Sequence, residues 1–329
     1  MSAAARVVVS GARPTGRLHL GNYHGALKSW LRLQETARCF FFVADWHALT
    51  TDYAEPGAVR ENTVEMVLDW LALGLDPERS VIFQQSAVKE HAELFLLLSM
   101  LTPVPWLERN PTYKEQREIL GERDLSTLGF LAYPVLQAAD VLIYKATAVP
   151  VGIDQAPHIE LAREIARRFN GLYGGVFPEP QTLMTETPKI VGTDGRKMSK
   201  SYGNAIFLTE DPAEVDRKLS RMVTDPRRAR RTDPGDPADC PAFQSFHRVY
   251  CTPDELTWQT EGCRTASIGC LECKKVTIKH VLHELEPVRE RRARLRPDDA
   301  WSALARGNAD ARRVAETTMA EVRTAVGLA

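Results

Sequence analysis

The sequence lacks a hydrophobic run long enough to cross a membrane. Its longest near-apolar stretch, around Leu94 to Leu101, is far shorter than the ~20 residues that a transmembrane helix needs. A net charge of either sign is also missing, since 42 basic residues stand against 43 acidic ones. This balance excludes a globally basic nucleic-acid coat, although a local basic face stays open. Met1 to Val9 has neither the basic flank nor the apolar length of a secretory signal. We therefore expect a cytoplasmic protein without a membrane segment.

The chain also has no internal repeat and no low-complexity tract. Its 44% hydrophobic and 26% charged residues are ordinary for a globular protein, which excludes a disordered or collagen-like chain. A length of 329 residues predicts about two domains. Because thiols stay reduced in the cytoplasm, the six cysteines are interpreted as thiols or metal ligands rather than disulfides.

Short apolar runs alternate with helical patterns in the first half of the chain. An apolar stripe of helical period runs from Val64 to Leu75. Alternation of this kind predicts an α/β fold with a Rossmann-like, doubly wound parallel sheet, whose ligands lie beyond the carboxyl ends of the strands. The predicted strands are residues 7–9, 40–44 and 81–83, with 141–144 or 148–151 as a further one.

Helical patterns dominate after about residue 205. Asp211 and Pro212 form a good helix start, a further helix is predicted over about 276–296, and a last one begins at Pro297. We predict a catalytic α/β domain over residues 1–204, a helical domain over 205–297 that carries most of the cysteines, and a C-terminal helix over 298–329.

Two segments carry the features of a phosphate site. The first, Pro14 to Tyr23, follows a strand, is rich in glycine and opens a helix, where free N–H groups favour an anion. The second, Lys197 to Ser201, places two lysines and two serines between glycines and suits a mobile clamp over a triphosphate. Taken singly, each also fits a bland alternative, an ordinary strand-to-helix turn and a solvated basic loop.

Together the two segments resemble the signature elements of the class I aminoacyl-tRNA synthetases. His19-Leu20-Gly21-Asn22 is similar to the HIGH element, and Lys197 to Ser201 matches the KMSKS element in every letter. From about Val9 to beyond Lys274 the chain looks like a bacterial-type tryptophanyl-tRNA synthetase. The resemblance implies that L-tryptophan is activated with Mg-ATP to an adenylate and transferred to tRNA(Trp). It also implies that residues 1–204 are the nucleotide-binding domain, that the helical domain over 205–297 binds the tRNA anticodon, and that the protein is a homodimer.

The resemblance assigns roles residue by residue. It implies His19, Lys197 and Lys200 as catalytic residues that stabilise charge. ATP would be bound by Arg13, Pro14, Thr15, Gly21, Asn22, Gly152, Ile153, Asp154, Ile190, Val191, Lys197, Met198, Ser199, Lys200 and Ser201. Tryptophan would be bound by Gly11, His47, Tyr133, Gln137, Asp140, Val149, Val151 and Gln155.

Asp140 would select the amino acid. An indole N–H only donates and an ionised carboxylate only accepts, so a buried pair of the two would reject phenylalanine. The alternative is an acid on a helix surface, which its apolar neighbours disfavour. The sequence departs from the common family pattern at Arg13, Asn22, Gln137 and Ile153, which leaves the polarity of the pocket open.

Four cysteines form a C-x22-C-x6-C-x2-C set. This arrangement resembles that of a subset of the family with a [4Fe–4S] cluster in the helical domain. Structural Zn²⁺ is the main alternative, and four buried free thiols are the third interpretation. The members of the set are Cys240, Cys263, Cys270 and Cys273.

Basic residues flank the cysteine set. They would contact tRNA phosphates without regard to sequence, although a solvated loop is an equal alternative for the arginines. A tyrosyl enzyme of the same subclass and a catalytically inactive paralogue remain the alternative functions. The basic residues are Arg227, Arg228, Arg230, Arg231, Lys274, Lys275 and Lys279.

Overall fold

The computed structural model describes residues 6–54, 56–110, 127–152, 155–184 and 190–329. Within them the chain forms two compact units, one of residues 6–16, 29–184 and 296–329, the other of 17–28 and 190–295. This division differs from the predicted boundaries at residues 204 and 297, because the HIGH-like and KMSKS-like segments both belong to the second unit and the last helix to the first. No helix in the described ranges is both long and apolar enough to cross a membrane.

The first unit contains a five-stranded sheet in which every pair of neighbouring strands is parallel. The order β3-β2-β1-β4-β5 reverses direction between β1 and β4, as in a doubly wound fold, so the predicted fold class is confirmed. Five of the six residues of β2 are buried, as expected for a sheet covered on both faces. The strands are β1 (Val7–Ala12), β2 (Arg38–Val43), β3 (Ser80–Gln84), β4 (Ala148–Val151) and β5 (Gln181–Met184).

Helices of the first unit cover the sheet. Leu128–Leu142 includes two residues of the alternative strand 141–144; that alternative is wrong, and residues 148–151 form the strand. The predicted apolar stripe lies on Val59–Leu73, which ends at Gly74 in the left-handed conformation (φ 105°). Lys28, the first residue of the helix Lys28–Leu33, belongs to the second unit and the rest of that helix to the first. The helices of the first unit are Lys28–Leu33, Asp45–Asp52, Val59–Leu73, Glu90–Leu101, Val104–Glu108, Leu128–Leu142, Ala156–Tyr173 and Pro297–Ala325.

The last helix packs on the edge strand β3. Gly307 allows this approach, because a Cβ at this position would lie 1.9 Å from the Ile82 carbonyl oxygen. The Asn308 side chain accepts the Gln84 N–H at 2.8 Å, so it satisfies a donor at the carboxyl end of the edge strand.

The second unit is mainly helical. The predicted helix start at Asp211 is confirmed, because its carboxylate accepts the Ala213 N–H at 2.8 Å. The helix predicted from about 276 begins earlier, at Cys270, and ends at Arg294. The helical elements of this unit are Leu20–Asn22, the π-helix Tyr23–Leu27, Pro212–Arg221, the π-helix Phe243–His247, Arg248–Tyr250, Pro253–Arg264 and Cys270–Arg294.

Candidate active site

Asp140 lies at the centre of a buried polar cluster in the first unit. Its side chain, on the Leu128–Leu142 helix, is 1% exposed. The carboxylate accepts hydrogen bonds from His47 Nε2 at 2.8 Å, Gln85 Nε2 at 2.7 Å and His91 Nδ1 at 2.6 Å. The alternative of a solvent-exposed acid is therefore excluded, and the residue is a buried carboxylate with donors on three sides.

The Asp140 carboxylate is ionised despite its burial. Burial by itself raises its pKa, but the hydrogen bonds and the proximity of His47 and His91 outweigh that effect and lower the pKa to about 2. An ionised carboxylate provides about four acceptor positions, and the described residues occupy three. The described residues thus leave one acceptor position of the carboxylate unoccupied.

The other residues predicted to bind tryptophan lie in the same unit and differ in their hydrogen-bond partners and burial. Tyr133 donates to or accepts from His158 Nε2 at 2.9 Å, and His158 Nδ1 contacts Gln155 Oε1 at 3.0 Å. Burial raises the pKa of Tyr133 to about 12, so its hydroxyl stays protonated. The His47 and Tyr133 rings lie edge to face, 6.5 Å apart, so both belong to the Asp140 neighbourhood.

The remaining members of that set are Gly11, Gln137, Val149 and Val151. Val149 is buried in the hydrophobic core with Val151 packed against it, and Gln137 is half-buried on the Asp140 helix. A Cβ at Gly11 would lie 2.4 Å from the Phe42 ring, so only glycine fits at this position of β1.

His19 begins the helix of the HIGH-like segment. Its Nδ1 accepts the Asn22 N–H at 3.3 Å, and the Asn22 side chain accepts the His19 N–H at 3.0 Å. Burial, helped by the positive charge of Lys197, lowers the pKa of His19 to about 4. A neutral imidazole whose Nδ1 accepts carries its proton on Nε2, so Nε2–H is the donor that remains for a ligand.

The HIGH-like segment pairs with the chain that follows the KMSKS-like loop. Leu20 N–H donates to the Ile206 carbonyl at 2.9 Å, and Leu208 N–H donates to the Leu18 carbonyl at 2.9 Å. A Cβ at Gly21 would lie 2.9 Å from His19 Nδ1 and 3.5 Å from Met198 Cβ. Two motifs about 180 residues apart in sequence are therefore neighbours within one unit.

Asn204 organises the loop from Lys197 to Ser201. Its Oδ1 accepts the Ser199 N–H at 2.8 Å, while its Nδ2 donates to Asp194 Oδ1 at 2.7 Å and to the Lys197 carbonyl at 3.2 Å. Met198 is buried and anchors the loop, whereas the side chains of Lys197 and Lys200 are exposed. The arrangement presents two ammonium groups from a backbone that is held in place.

The remaining predicted ATP residues are divided between the two units. In the second unit Val191 pairs with Lys197, and Ile190 is buried. In the first unit Arg13 Nη1 donates to Thr51 Oγ1 at 3.4 Å. Also in the first unit are Pro14, Thr15 and Gly152, while Ile153 and Asp154 lie outside the described residues.

The chain is similar to known proteins along nearly its whole length. The family of class I tRNA synthetases for W and Y matches residues 2–285. The tryptophan–tRNA ligase of Thermotoga maritima is 53% identical and aligns over 98% of this chain and 99% of the relative; that of Aquifex aeolicus is 47% identical over 98% and 99%. A crystal structure of the Campylobacter jejuni tryptophanyl-tRNA synthetase with ADP and tryptophan has a TM-score of 0.85 and 33% identity, covering 98% of this chain and 100% of that one.

The chain belongs to the class I tryptophanyl-tRNA synthetases. Its activity is that of a tryptophan–tRNA ligase. The alternatives of a tyrosyl enzyme and of an inactive paralogue receive no support from these relatives.

The four cysteines of the predicted metal set line one cavity in this synthetase. Asp225, Arg228, His247 and Lys274 border the same cavity. Among the described residues, however, no three His, Cys, Asp or Glu side chains are placed to share one metal ion. Burial, together with the neighbouring thiols, raises the pKa of the Cys273 thiol to about 12.

Several of the basic residues predicted to contact RNA serve the synthetase's own structure. Arg227 pairs with Asp225 and Asp239, and Arg228 donates to the Arg231 and Ile268 carbonyls. Lys274 is buried and donates to the Ser220 and Met222 carbonyls at 2.7 Å each. The prediction of a surface cation is therefore wrong for Lys274, because its ammonium group is buried and satisfies two carbonyls. For Arg227 and Arg228 contact with RNA stays a prediction. The exposed members are Arg227, Arg230, Arg231, Lys275 and Lys279.

Four residues of the Asp140 cluster and the KMSKS-like loop were not predicted from the sequence. Gln85 directly follows β3, and a polar residue at the carboxyl end of a parallel strand was an available indication. His91 and Tyr144 lie among apolar neighbours, so nothing in the local pattern distinguishes them from core residues. Asn204 lies beyond the motif, and its role depends on the fold of the loop.

Proposed function

We propose that Asp140 recognises the indole N–H of tryptophan and that His19, Lys197 and Lys200 stabilise charge on ATP. The observation that carries the proposal is a buried, ionised carboxylate with one acceptor position left. Indole N–H is a donor without an acceptor, so it matches that position. A substrate lacking such a donor leaves the buried carboxylate short of a partner, which costs about 1–3 kcal/mol or more.

The first step is an in-line displacement at phosphorus. The tryptophan carboxylate attacks the α-phosphorus of Mg-ATP, the bond to the bridging oxygen breaks, and pyrophosphate leaves with the electron pair. His19 donates from Nε2–H to a phosphate oxygen, and the ammonium groups of Lys197 and Lys200 offset the charge that builds up on the leaving group. No side-chain nucleophile is needed, because position and charge carry the reaction.

In the second step a terminal ribose hydroxyl of tRNA(Trp) attacks the carbonyl carbon of the adenylate. The ester forms, the mixed anhydride breaks, and AMP leaves. We propose that Arg13, Pro14, Thr15 and Gly152 belong to the ATP site by their match to the family. Ile153 and Asp154 stay predictions for the same reason.

The test is ATP–pyrophosphate exchange with single amino acids. We expect exchange with tryptophan, and a fall in kcat/KM for tryptophan of about 10- to 150-fold in Asp140→Asn, because the amide turns a donor toward the indole N–H. KM for ATP should change little. Exchange with tyrosine instead would support the tyrosyl alternative, and no exchange with either would support the inactive paralogue.

We further propose that Cys240, Cys263, Cys270 and Cys273 hold a [4Fe–4S] cluster with a structural role. Zn²⁺ needs four donors that converge on one point, whereas each iron at a corner of a cluster takes its own thiolate. Four thiols around one cavity provide one thiolate for each of the four irons. Anaerobically purified protein should contain about four irons per chain and absorb in the visible. Stoichiometric zinc without iron would contradict the cluster, and neither metal would indicate free thiols.

The helical unit is proposed to contact tRNA through its exposed cations. Arg230, Lys275 and Lys279 are candidates, since their side chains are exposed. Replacing Lys275 and Lys279 by Ala should lower tRNA affinity and reduce the salt dependence of binding by about one unit of slope per lost phosphate contact. Exchange without tRNA should not change. An unaltered salt slope would remove these residues from the interface.

We propose that the synthetase is a homodimer. Leu96 and Met100, one turn apart on the Glu90–Leu101 helix, are 55% and 74% exposed, and Val104 and Leu128 are exposed as well. Large apolar side chains in this number favour a protein interface. Light scattering should give twice the chain mass of 36.8 kDa, and Met100→Asp should shift the mass toward the monomer. A wild-type monomer would contradict the proposal.

A further inference from the structure

The hydrogen bonds behind Asp140 determine which of its oxygens a ligand can use. Oδ1 accepts from both His91 Nδ1 and Gln85 Nε2, at 2.6 Å and 2.7 Å. Oδ2 accepts only from His47 Nε2 among the described residues, at 2.8 Å. Each carboxylate oxygen has two lone pairs, so Oδ1 is saturated while Oδ2 retains one acceptor position.

Tyr144 holds the His91 ring at its other nitrogen. The His91 Nε2 lies 2.7 Å from the Tyr144 hydroxyl, and both side chains are buried. Because the Asp140 carboxylate accepts only, Nδ1 of His91 must carry a proton and donate it to Oδ1, while Nε2 shares a hydrogen bond with the tyrosine hydroxyl. The tyrosine hydroxyl therefore holds the His91 ring in the orientation in which Nδ1 donates to Oδ1.

Gln85 is oriented in the same way. Its Oε1 accepts the Trp46 N–H at 3.2 Å, which turns its amide nitrogen toward Asp140. Trp46 precedes His47 in the Asp45–Asp52 helix. Gln85 therefore donates to Oδ1 and is also hydrogen-bonded to the helix that carries His47, the donor to Oδ2.

We propose that His91, Tyr144 and Gln85 are positioning residues for amino-acid specificity, which saturate Oδ1 and reserve the last acceptor position of Oδ2 for an N–H donor of the substrate side chain. The inference rests on the proposed function, because it takes Asp140 as the group that recognises the indole. The three residues act through Asp140, and none has to touch the amino acid itself.

The expected consequence is discrimination against an isostere without the donor. In β-(3-benzothienyl)alanine a sulfur replaces the indole N–H while the bicyclic shape is kept. The ratio of kcat/KM for tryptophan to that for this analogue, measured by ATP–pyrophosphate exchange, reports the hydrogen bond to Oδ2. For the wild type we expect a ratio of about 10 to 150, the value of one hydrogen bond to a charged group.

The variants remove the network in steps. In His91→Leu the ratio should fall to within about threefold of unity, because Oδ1 loses a donor and the carboxylate is free to turn or take up a proton. Tyr144→Phe removes one oxygen and should lower the ratio at least about threefold, since the His91 ring is no longer held by a hydrogen bond at Nε2. His91→Asn keeps an N–H near the position of Nδ1 and should stay within about threefold of the wild type.

Two controls separate specificity from folding and from the proposed function. Phe40→Leu disturbs the ring stacked on Tyr144 at 4.6 Å but no hydrogen bond, so it should lower the melting temperature and leave the ratio unchanged. Wild-type ratios in both His91→Leu and Tyr144→Phe would overturn the inference, and if His91→Leu does not fold, Tyr144→Phe with His91→Asn decides it. A wild-type ratio in Asp140→Asn would overturn the proposed function as well, whereas loss of the ratio in Asp140→Asn alone would overturn only the inference.

Discussion

One methyl group added at Gly192 should disable the KMSKS-like loop. A Cβ at this position would lie 2.1 Å from Asn204 Nδ2 and 2.3 Å from Asn204 Cγ. Asn204 is 2% exposed, so its side chain cannot make room for the methyl group without breaking its hydrogen bonds. Gly192→Ala should therefore displace Asn204 while leaving Lys197 and Lys200 in the sequence.

The magnitude follows from the hydrogen bonds that Asn204 makes. It accepts from the Ser199 N–H and donates to Asp194 and to the Lys197 carbonyl. Three hydrogen bonds at about 0.5–1.5 kcal/mol each stabilise the ordered loop by about 1.5–4.5 kcal/mol. If the ordered loop is the form that acts on ATP, kcat of pyrophosphate exchange should fall about 10- to 2000-fold.

Exchange kinetics with tryptophan affinity as a second readout test this reasoning. The affinity, measured by equilibrium dialysis, should stay within about twofold, because Asp140 belongs to the other compact unit. Gly171→Ala is the matched control: nothing lies within 4 Å of the added carbon, so activity should be that of the wild type. A folded Gly192→Ala enzyme with exchange within about threefold of the wild type would refute the role of Asn204.

Three further predictions concern charge, pH and packing. Lys200→Ala should lower the rate of adenylate formation by orders of magnitude with little change in tryptophan affinity, and an unchanged exchange rate would refute its role. Burial lowers the pKa of His24 to about 4, so only the unfolded chain binds a proton as pH falls below about 6.5. The free energy of unfolding should therefore be unaffected by His24 above that pH and should decrease toward pH 4, by at most about 3 kcal/mol. Urea unfolding at pH 7 and pH 5 measures this decrease, which should be smaller in His24→Gln. Gly307→Ala places a methyl 1.9 Å from the Ile82 carbonyl oxygen and should lower the melting temperature by at least about 3 °C; an unchanged value in a thermal scan would contradict the packing.

Local patterns predicted the secondary structure well where one physical effect dominates. The strands β1, β2 and β3 are short apolar runs, and the helix after Asp211 has both a capping carboxylate and a proline at its start. The choice between residues 141–144 and 148–151 could not be made locally, because both runs are apolar. Burial of the Asp140 helix against the sheet decided it.

Domain boundaries were harder to predict than elements. The break near residue 204 follows a change of composition, but the chain crosses between the units earlier, at residues 16 and 28. The last helix was expected to stand apart, yet Gly307 and Asn308 bind it to β3. A glycine within a helix and a single asparagine do not reveal in sequence which strand they will meet.

By itself the sequence determined the chemistry, since His19, Asp140 and the run from Lys197 to Ser201 are short local motifs whose groups have fixed donors, acceptors and charges. Only the tertiary structure decided how those groups are held. The partners of Asp140 come from residues 49 to 93 positions away, and Asn204 meets Gly192 only when the loop is folded. Hydrogen bonds that depend on contacts between distant segments have no local pattern, because each partner alone looks like any other buried polar residue.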